Sequence, residues 1–296
     1  MTIFSRRFRP LDAATVENDG LFTALSRHWQ PAGCDDPRQP GLRLAVRNGY
    51  LNFYRLGQSV AKLGFDRRGR LHAEVHHKYL DGNAAGQKYE KLTTADGLSE
   101  WIERCEGFTS KEKCFVDRVV GRNAGVIDLE MALPAGHDSA GRKIAPRVDL
   151  VALERTTAGH RIVFWEVKLA TDARVRRQGD ARPEVVEQLE TYGGWLRDHA
   201  DMVAEAYREN CRVLRDLHHA AATRHPLGET ILDVANGDLP LEVDPVPRLL
   251  IADFRGDDQK GAGSFAANGH EAKLRTARCR LHVVRNESDL TLPVLP

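Results

Sequence analysis

Charge of one sign is what this chain most plainly lacks: 43 basic and 42 acidic side chains leave a formal net charge of +1. A polycation that coats nucleic acid through its overall field is excluded, so any phosphate contact must rest on local patches. Long apolar runs are missing too. Nothing approaches the roughly 20 apolar residues of a membrane span. The opening segment MTIFSRRFRPLDAATVEN contains no apolar signal region, so no membrane association and a cytoplasmic location are expected. Cysteine is sparse: Cys34, Cys105, Cys114, Cys211 and Cys279 form no CxxC pair and have no histidine at zinc-ligand spacing, against a disulfide framework or a zinc site. His76-His77 and His218-His219 are adjacent pairs whose rings diverge on strand or helix. No HExxH, GxGxxG, P-loop or G-x-S-x-G pattern occurs, so zincin, nucleotide-driven and serine-hydrolase chemistry lack support.

Apolar content is ample at 42%, enough for one large core or two small ones. Period and turn signals predict a helix over 19–29, then a four-strand antiparallel meander over 42–80 with turns at 47–49, 56–58 and 66–69. Helices are expected over 94–105 and 110–120, the second with Ser110 as N-cap. Strands over 125–133, 147–153 and 161–169 follow, then helices over 183–197 and 201–222. A strand over 248–254, a helix over 269–276 and a strand over 280–284 complete the chain. The expected class is α/β of the α+β kind. Residues 1–95 would form a helix plus an antiparallel β region, and residues 96–296 a mixed central sheet flanked by helices.

The stretch 147–192 carries the chemistry. In RIVFWEVKL, Ile162, Phe164, Glu166 and Lys168 fall on one strand face, and Val163, Trp165 and Val167 on the other. Glu166 and Lys168 thus project together, about 7 Å apart by strand rise, where the strand leaves the core. Asp149 lies in the apolar run 148–153, and the short connector ERTTAGH makes the two runs a hairpin that brings Asp149 beside Glu166. Two carboxylates at one point repel, so burying them together calls for a cation. Oxygen ligands without Cys or His favour Mg²⁺ or Mn²⁺ over zinc. An exposed edge-strand ion pair could also read Glu-x-Lys, but a solvated face does not normally read Ile-x-Phe-x-Glu-x-Lys. Gln188 and Tyr192 share a helix face by i, i+4 spacing. A plain packing role for Tyr192, in a stripe with Val185, Leu189 and Leu196, is the alternative.

Val148-Asp149, Glu166-Val167-Lys168 and Gln188-Leu189-Glu190-Thr191-Tyr192 together resemble the PD-(D/E)XK nuclease superfamily, in the RecB-like branch with a QxxxY motif. The resemblance covers 110–254, where the expected element order matches the αβββαβ restriction-endonuclease-like core with one inserted helix. Val148 stands where the family usually has proline. The resemblance implies that Asp149 and Glu166 bind metal with help from the Val167 carbonyl. It implies that Lys168 orients or polarises the attacking water, and that Gln188 and Tyr192 line the site. It further implies Mg²⁺- or Mn²⁺-dependent hydrolysis of phosphodiesters, DNA foremost, with a 5′-phosphate product, in restriction, defence or repair. The branch often adds a glutamate from the first core helix, where Glu112 is the candidate. Glu130, on the first core strand beside Asp128 and opposite Ile127, Leu129 and Met131, is favoured over it.

Arg174, Arg176 and Arg177 lie between the catalytic strand and the QxxxY helix, at the expected mouth of the site, where phosphate contact is favoured. Arg147 is grouped with them. Arg6-Arg7-Phe8-Arg9, Arg142-Lys143 and Arg67–Arg70 are further basic runs, the last read as a solvated turn. A homodimer or partner-protein contact is expected through the N-terminal β region. The rival class is a nucleic-acid- or protein-binding module without turnover on the same fold; retention of Asp149, Glu166 and Lys168 favours the enzyme.

Overall fold

The computed structural model describes residues 4–11, 20–36, 41–80, 88–133, 136–137, 143–144, 146–177, 179, 181–237, 239–254 and 264–295. Among the described residues the chain is a mixed α/β protein with a five-stranded antiparallel sheet, a six-stranded mixed sheet, a two-stranded antiparallel pair and helices. It divides into two compact units, Ile3–Asp128 with Glu205–Leu239, and Leu129–Ala204 with Pro240–Pro296. The expected break after residue 95 differs from this division. Helix α2 explains part of the difference, because Trp101, Ile102 and Cys105 bury a face that packs on the N-terminal sheet.

The first unit opens with α1 (Gly20–Arg27) and a sheet of β1 (Arg43–Val46), β2 (Tyr50–Arg55), β3 (Gln58–Phe65), β4 (Leu71–His76) and β5 (Tyr89–Leu92). The strands follow in chain order, each antiparallel to the next. The meander therefore has a fifth strand beyond the four expected. Tyr89-Glu90-Lys91-Leu92 is short and buries no residue fully, so it lacks the alternation that marks β4. Helices α2 (Leu98–Glu106) and α3 (Lys111–Arg122) follow, and the Ser110 side chain accepts from the Lys113 N–H as the expected N-cap.

A buried ionic knot holds this unit. The Asp128 carboxylate, fully enclosed, accepts from Arg6 Nε at 2.8 Å, from Arg47 and from Tyr207 Oη at 2.9 Å. Burial would raise its pKa, but the charges of Arg47 and Arg6 outweigh that and hold it low. Arg6 is thus a structural residue rather than part of a basic surface run. In Arg67–Arg70, Arg70 pairs with Asp66 across an exposed turn, as the solvated-turn expectation had it.

The mixed sheet contains β6 (Val126–Ala132), β9 (Arg147–Arg155), β10 (His160–Leu169), β11 (Leu241–Val243), β12 (Arg248–Ala252) and β13 (Arg280–Val284); β7 (Gly136–His137) and β8 (Lys143–Ile144) pair with each other. Its order is β13-β12-β10-β9-β6, with β11 beside the start of β10. The hairpin of β9 and β10 is antiparallel, as expected, whereas β12 runs parallel to β10 and β13 parallel to β12. Between 170 and 240 lie α4 (Glu184–Asp198), α5 (Ala200–Ala220) and α6 (Glu229–Asn236), and α7 (Ser264–Ala267) and α8 (His270–Thr276) precede β13. α6 and β11 were not expected; one is two turns long and the other three residues. Continuous apolar runs in β10 and β12 fit strands covered on both faces. Val185, Val186 and Leu189 of α4, Phe265 of α7 and Leu274 of α8 join Leu249, Ile251, Leu281 and Val283 in one cluster. Among the described residues no helix is long and apolar enough to cross a membrane.

One buried charge governs the stability of this second unit. Arg248 opens β12 with a fully buried side chain over the Trp165 ring, its guanidinium carbon 5.3 Å from the centroid. It donates to both oxygens of Glu154 and, at 3.3 Å, to Asp244 Oδ2, which also accepts from Arg280 at 2.6 Å. Removing one partner of such a network strands buried charge, so Arg248→Ala should cost about 3–5 kcal/mol. Chemical denaturation of the variant should show that loss, and an unchanged midpoint would refute it.

Candidate functional site

The two strands of the hairpin stop pairing where the polar residues begin. The β9–β10 register runs to Trp165 opposite Leu150. Just beyond it, the Val167 N–H donates to Asp149 Oδ2 at 2.7 Å, so a carboxylate takes a main-chain donor. On the other side β10 stays in register with β12, with Glu166 opposite Leu249 and Lys168 opposite Ile251. Glu166 and Lys168 are therefore held on a central strand, and each is only 2% exposed. Sequence reasoning placed them where the strand leaves the core; they are enclosed instead, because β12 and α4 cover this end of β10.

Their contacts form one network. Lys168 Nζ donates to Glu166 Oε1 and, at 2.8 Å, to the Val167 carbonyl, and lies 3.9 Å from Asp149 Oδ2. Gln188 Nε2, from α4, donates to Glu166 Oε1 at 2.8 Å and also to Tyr192 Oη. Tyr192 Oη donates in turn to the Arg147 carbonyl at 2.7 Å. The i, i+4 pair of the helix thus ties the glutamate of β10 to the start of β9. Tyr192 serves packing as well, since its ring is fully buried.

Electrostatically the site is strained toward protonation. Burial first, then the Glu166 charge, push the Asp149 carboxyl well above its ordinary range, against the pull of Lys168 and the Val167 N–H. Burial also raises Glu166, although Lys168 and Gln188 oppose it. Burial, then Glu166, raise the Tyr192 hydroxyl, which therefore acts as a neutral donor. One oxygen is left over: Glu166 Oε2 is buried and has no hydrogen-bond partner among the described residues.

Glu130 and the loop arginines belong to the same unit as this centre. Glu130 sits at φ +51°, which breaks the strand alternation that paired it with Asp128; its carboxylate is 3.4 Å from Arg147 Nη1, and its charge contributes to the raised Asp149. Glu112 is in the first turn of α3, in the N-terminal unit. Arg147, Arg174 and Arg177 have side chains 60%, 44% and 40% exposed, with Arg174 on Asp172 and Arg177 on Glu184. Arg176 is different. It donates to the Ala170 carbonyl and, at 3.2 Å, to Ser264 Oγ, tying the loop to α7. Arg142 and the side chain of Lys143 lie outside the described residues.

No family model, curated protein or solved structure matches the chain.

One participant escaped the sequence reading. Asp172 takes the Arg174 N–H at 2.8 Å and its guanidinium through both oxygens. Burial would raise its pKa, but Arg174 holds it low. The Asp-x-Arg spacing in TDAR was the available signal, since a turn lets i and i+2 meet. Among the described residues, no group of three or more His, Cys, Asp or Glu side chains is gathered as a metal cage. The acidic part of the site is the pair Asp149 and Glu166, with Glu130 nearby.

Proposed function

We propose that this chain is a metal-dependent nuclease of the PD-(D/E)XK type, hydrolysing phosphodiester bonds, DNA foremost. One observation carries the reading. Asp149, Glu166, Lys168, Gln188 and Tyr192, drawn from two strands and a helix, meet in a single hydrogen-bonded network with a buried carboxylate oxygen left over. The order α3-β6-β9-β10-α4-β12 also supports it, being the αβββαβ order with the β7–β8 pair, α5, α6 and β11 inserted.

The donor set fits Mg²⁺ or Mn²⁺. Glu166 Oε2 and the partly exposed Asp149 carboxylate are hard oxygen ligands, the Val167 carbonyl is adjacent, and the mutual repulsion of the carboxylates favours a cation. Such an ion, when bound, supplies Lewis-acid polarisation of a phosphate oxygen and a lowered pKa for water. Lys168 then places positive charge beside the nucleophile and stabilises the charge that builds in the transition state. Gln188 fixes the Glu166 carboxylate, and Tyr192 fixes Gln188. The test is incubation with linear, circular and single-stranded DNA and with RNA, in Mg²⁺, Mn²⁺ or EDTA. Metal-dependent cleavage is expected. No cleavage of any substrate with either metal would leave the binding-module reading.

Phosphate contacts fall to the exposed guanidiniums. A variant with Arg147, Arg174 and Arg177 all changed to alanine should bind duplex DNA more weakly, with the log–log salt slope reduced by up to about three units. Arg176→Ala should leave the slope alone and loosen the loop instead, because its donors already serve Ala170 and Ser264. Equal slopes for parent and triple variant would return these arginines to ordinary surface ion pairs.

A further inference from the structure

Six of the ten lysines in a chain with 33 arginines fall between Lys62 and Lys113, all in the N-terminal unit. Several of them converge on a row of rings. Phe108 meets Tyr79 with centroids 5.9 Å apart, Tyr79 meets His76 at 6.1 Å, and His76 meets Tyr89 at 5.2 Å. Lys78 Nζ lies 4.7 Å from the centroids of both Tyr79 and Phe108, while Lys62 and Lys88 lie 4.2 and 5.8 Å from that of Tyr89. Tyr79 is buried beneath the row, whereas Phe108 is 50% exposed and presents ring surface to solvent.

Lysines on an edge strand commonly serve only to block strand addition. That would account for Lys88 and Lys91 beside β5, not for Lys62 on β3, Lys78 after β4 or Lys113 on α3. Two acidic residues lie among these lysines: Glu74 on β4, opposite Lys62 in register, is 3.6 Å from Lys91, and Glu90 on the edge strand β5 is 3.8 Å from His77. The remaining cations crowd one another. After burial, Lys113 and Lys88 depress Lys78, and Lys78, Lys88, His77 and Lys62 depress His76. Crowded positive charge around an exposed ring matches a polyanion that also carries flat apolar faces. Unpaired bases offer such faces, whereas a duplex hides them in its stack.

We propose that the strip formed by Phe108, Tyr79, His76 and Tyr89 with Lys62, Lys78 and Lys88 binds single-stranded nucleic acid, the lysines meeting phosphates and Phe108 stacking on a base. This surface is distinct from the carboxylate site and does not depend on the hydrolytic reading.

The test is fluorescence anisotropy of a short labelled oligo(dT) with the full chain in EDTA, so that no cleavage can occur. Changing Lys62, Lys78 and Lys88 together to alanine should weaken binding tenfold or more. It should also lower the log–log salt slope by about two units, since each single-strand phosphate that is no longer neutralised removes about 0.7. Phe108→Ala should weaken binding roughly fivefold or more at unchanged slope, and its exposure makes the substitution safe for folding, checked by an unchanged melting curve. Affinity for the oligonucleotide unaffected by either variant would overturn the proposal. So would tighter binding of a duplex of the same length, or displacement by poly(glutamate) at equal charge, which would mark an acidic protein as the occupant. Because metal is absent, these outcomes are independent of whether the chain cleaves anything.

Discussion

Replacing Asp149 by asparagine should abolish metal-dependent cleavage and, at the same time, make the metal-free protein more stable. The two effects share one cause. Glu166 is enclosed and Asp149 only partly exposed, neighbours of like charge that both contact the Lys168 ammonium. The carbonyl of the introduced asparagine can still accept from the Val167 N–H, so the main-chain bond of β10 is kept, while the repulsion disappears. Removing that repulsion should raise the Tm by about 2–4 °C, the shift that about 1 kcal/mol gives a protein of this size. The pH dependence follows from the same shifts. Both carboxyls are raised in the folded state, so the folded protein holds protons that the unfolded chain has released above its ordinary carboxylate pKa of about 4. Stability attributable to the pair is therefore greatest in acid and falls as pH rises through the raised values. Asp149→Asn should flatten that fall. Thermal melts across pH in EDTA, paired with cleavage assays in Mn²⁺, give both readouts. A variant that melts below its parent at neutral pH, or that still cuts, would remove Asp149 from the role given to it.

The hairpin, the Glu-x-Lys strand and the Gln/Tyr helix face were legible because each follows from a single local period. A central strand needs an unbroken apolar run, and 162–165 has one; two residues that must share a strand face sit two apart, and two on a helix face sit four apart. What escaped depended on partners distant in sequence. Arg248, Glu154 and Asp244 carry no local signal in the sequence, and only the fold shows that their charges are enclosed. Asp128 read as the companion of Glu130, yet it is locked by Arg6 and Arg47 from the beginning of the chain. The positive φ of Glu130 ended the alternation on which that pairing relied, and nothing in VIDLEMAL signals it. Arg176 read as a third phosphate contact alongside Arg174 and Arg177, and its capture by Ala170 and Ser264 depends on α7, nearly 90 residues away.

Lys168→Ala should lower the single-turnover cleavage rate on saturating DNA by roughly two orders of magnitude, the usual cost of one preorganised electrostatic donor. The effect is differential. A lysine beside a carboxylate and the attacking water gains more as negative charge develops than it did in the ground state, so its removal falls on the rate rather than on substrate affinity. The buried geometry adds a second consequence that an exposed lysine would not have. Lys168 is 2% exposed and is the cation that serves Glu166, the Val167 carbonyl and Asp149 together. Without it the two carboxylates face each other in a desolvated site, and the metal-free protein should lose about 3 kcal/mol. A divalent ion would restore much of that loss, so Mn²⁺ should raise the Tm of the alanine variant by more than that of the parent. Its affinity for the metal should be correspondingly higher than the parent's, with one positive neighbour gone and the carboxylate repulsion relieved only by the ion. Lys168→Arg should rescue neither rate nor stability, since a planar guanidinium does not fit the space of an ammonium held between Glu166 and the Val167 carbonyl. Single-turnover kinetics, calorimetric Mn²⁺ titration and melts with and without metal separate these effects. Parental cleavage by the alanine variant would reduce Lys168 to a counter-ion of Glu166. An unchanged metal-free melt would show that the two carboxylates never needed it.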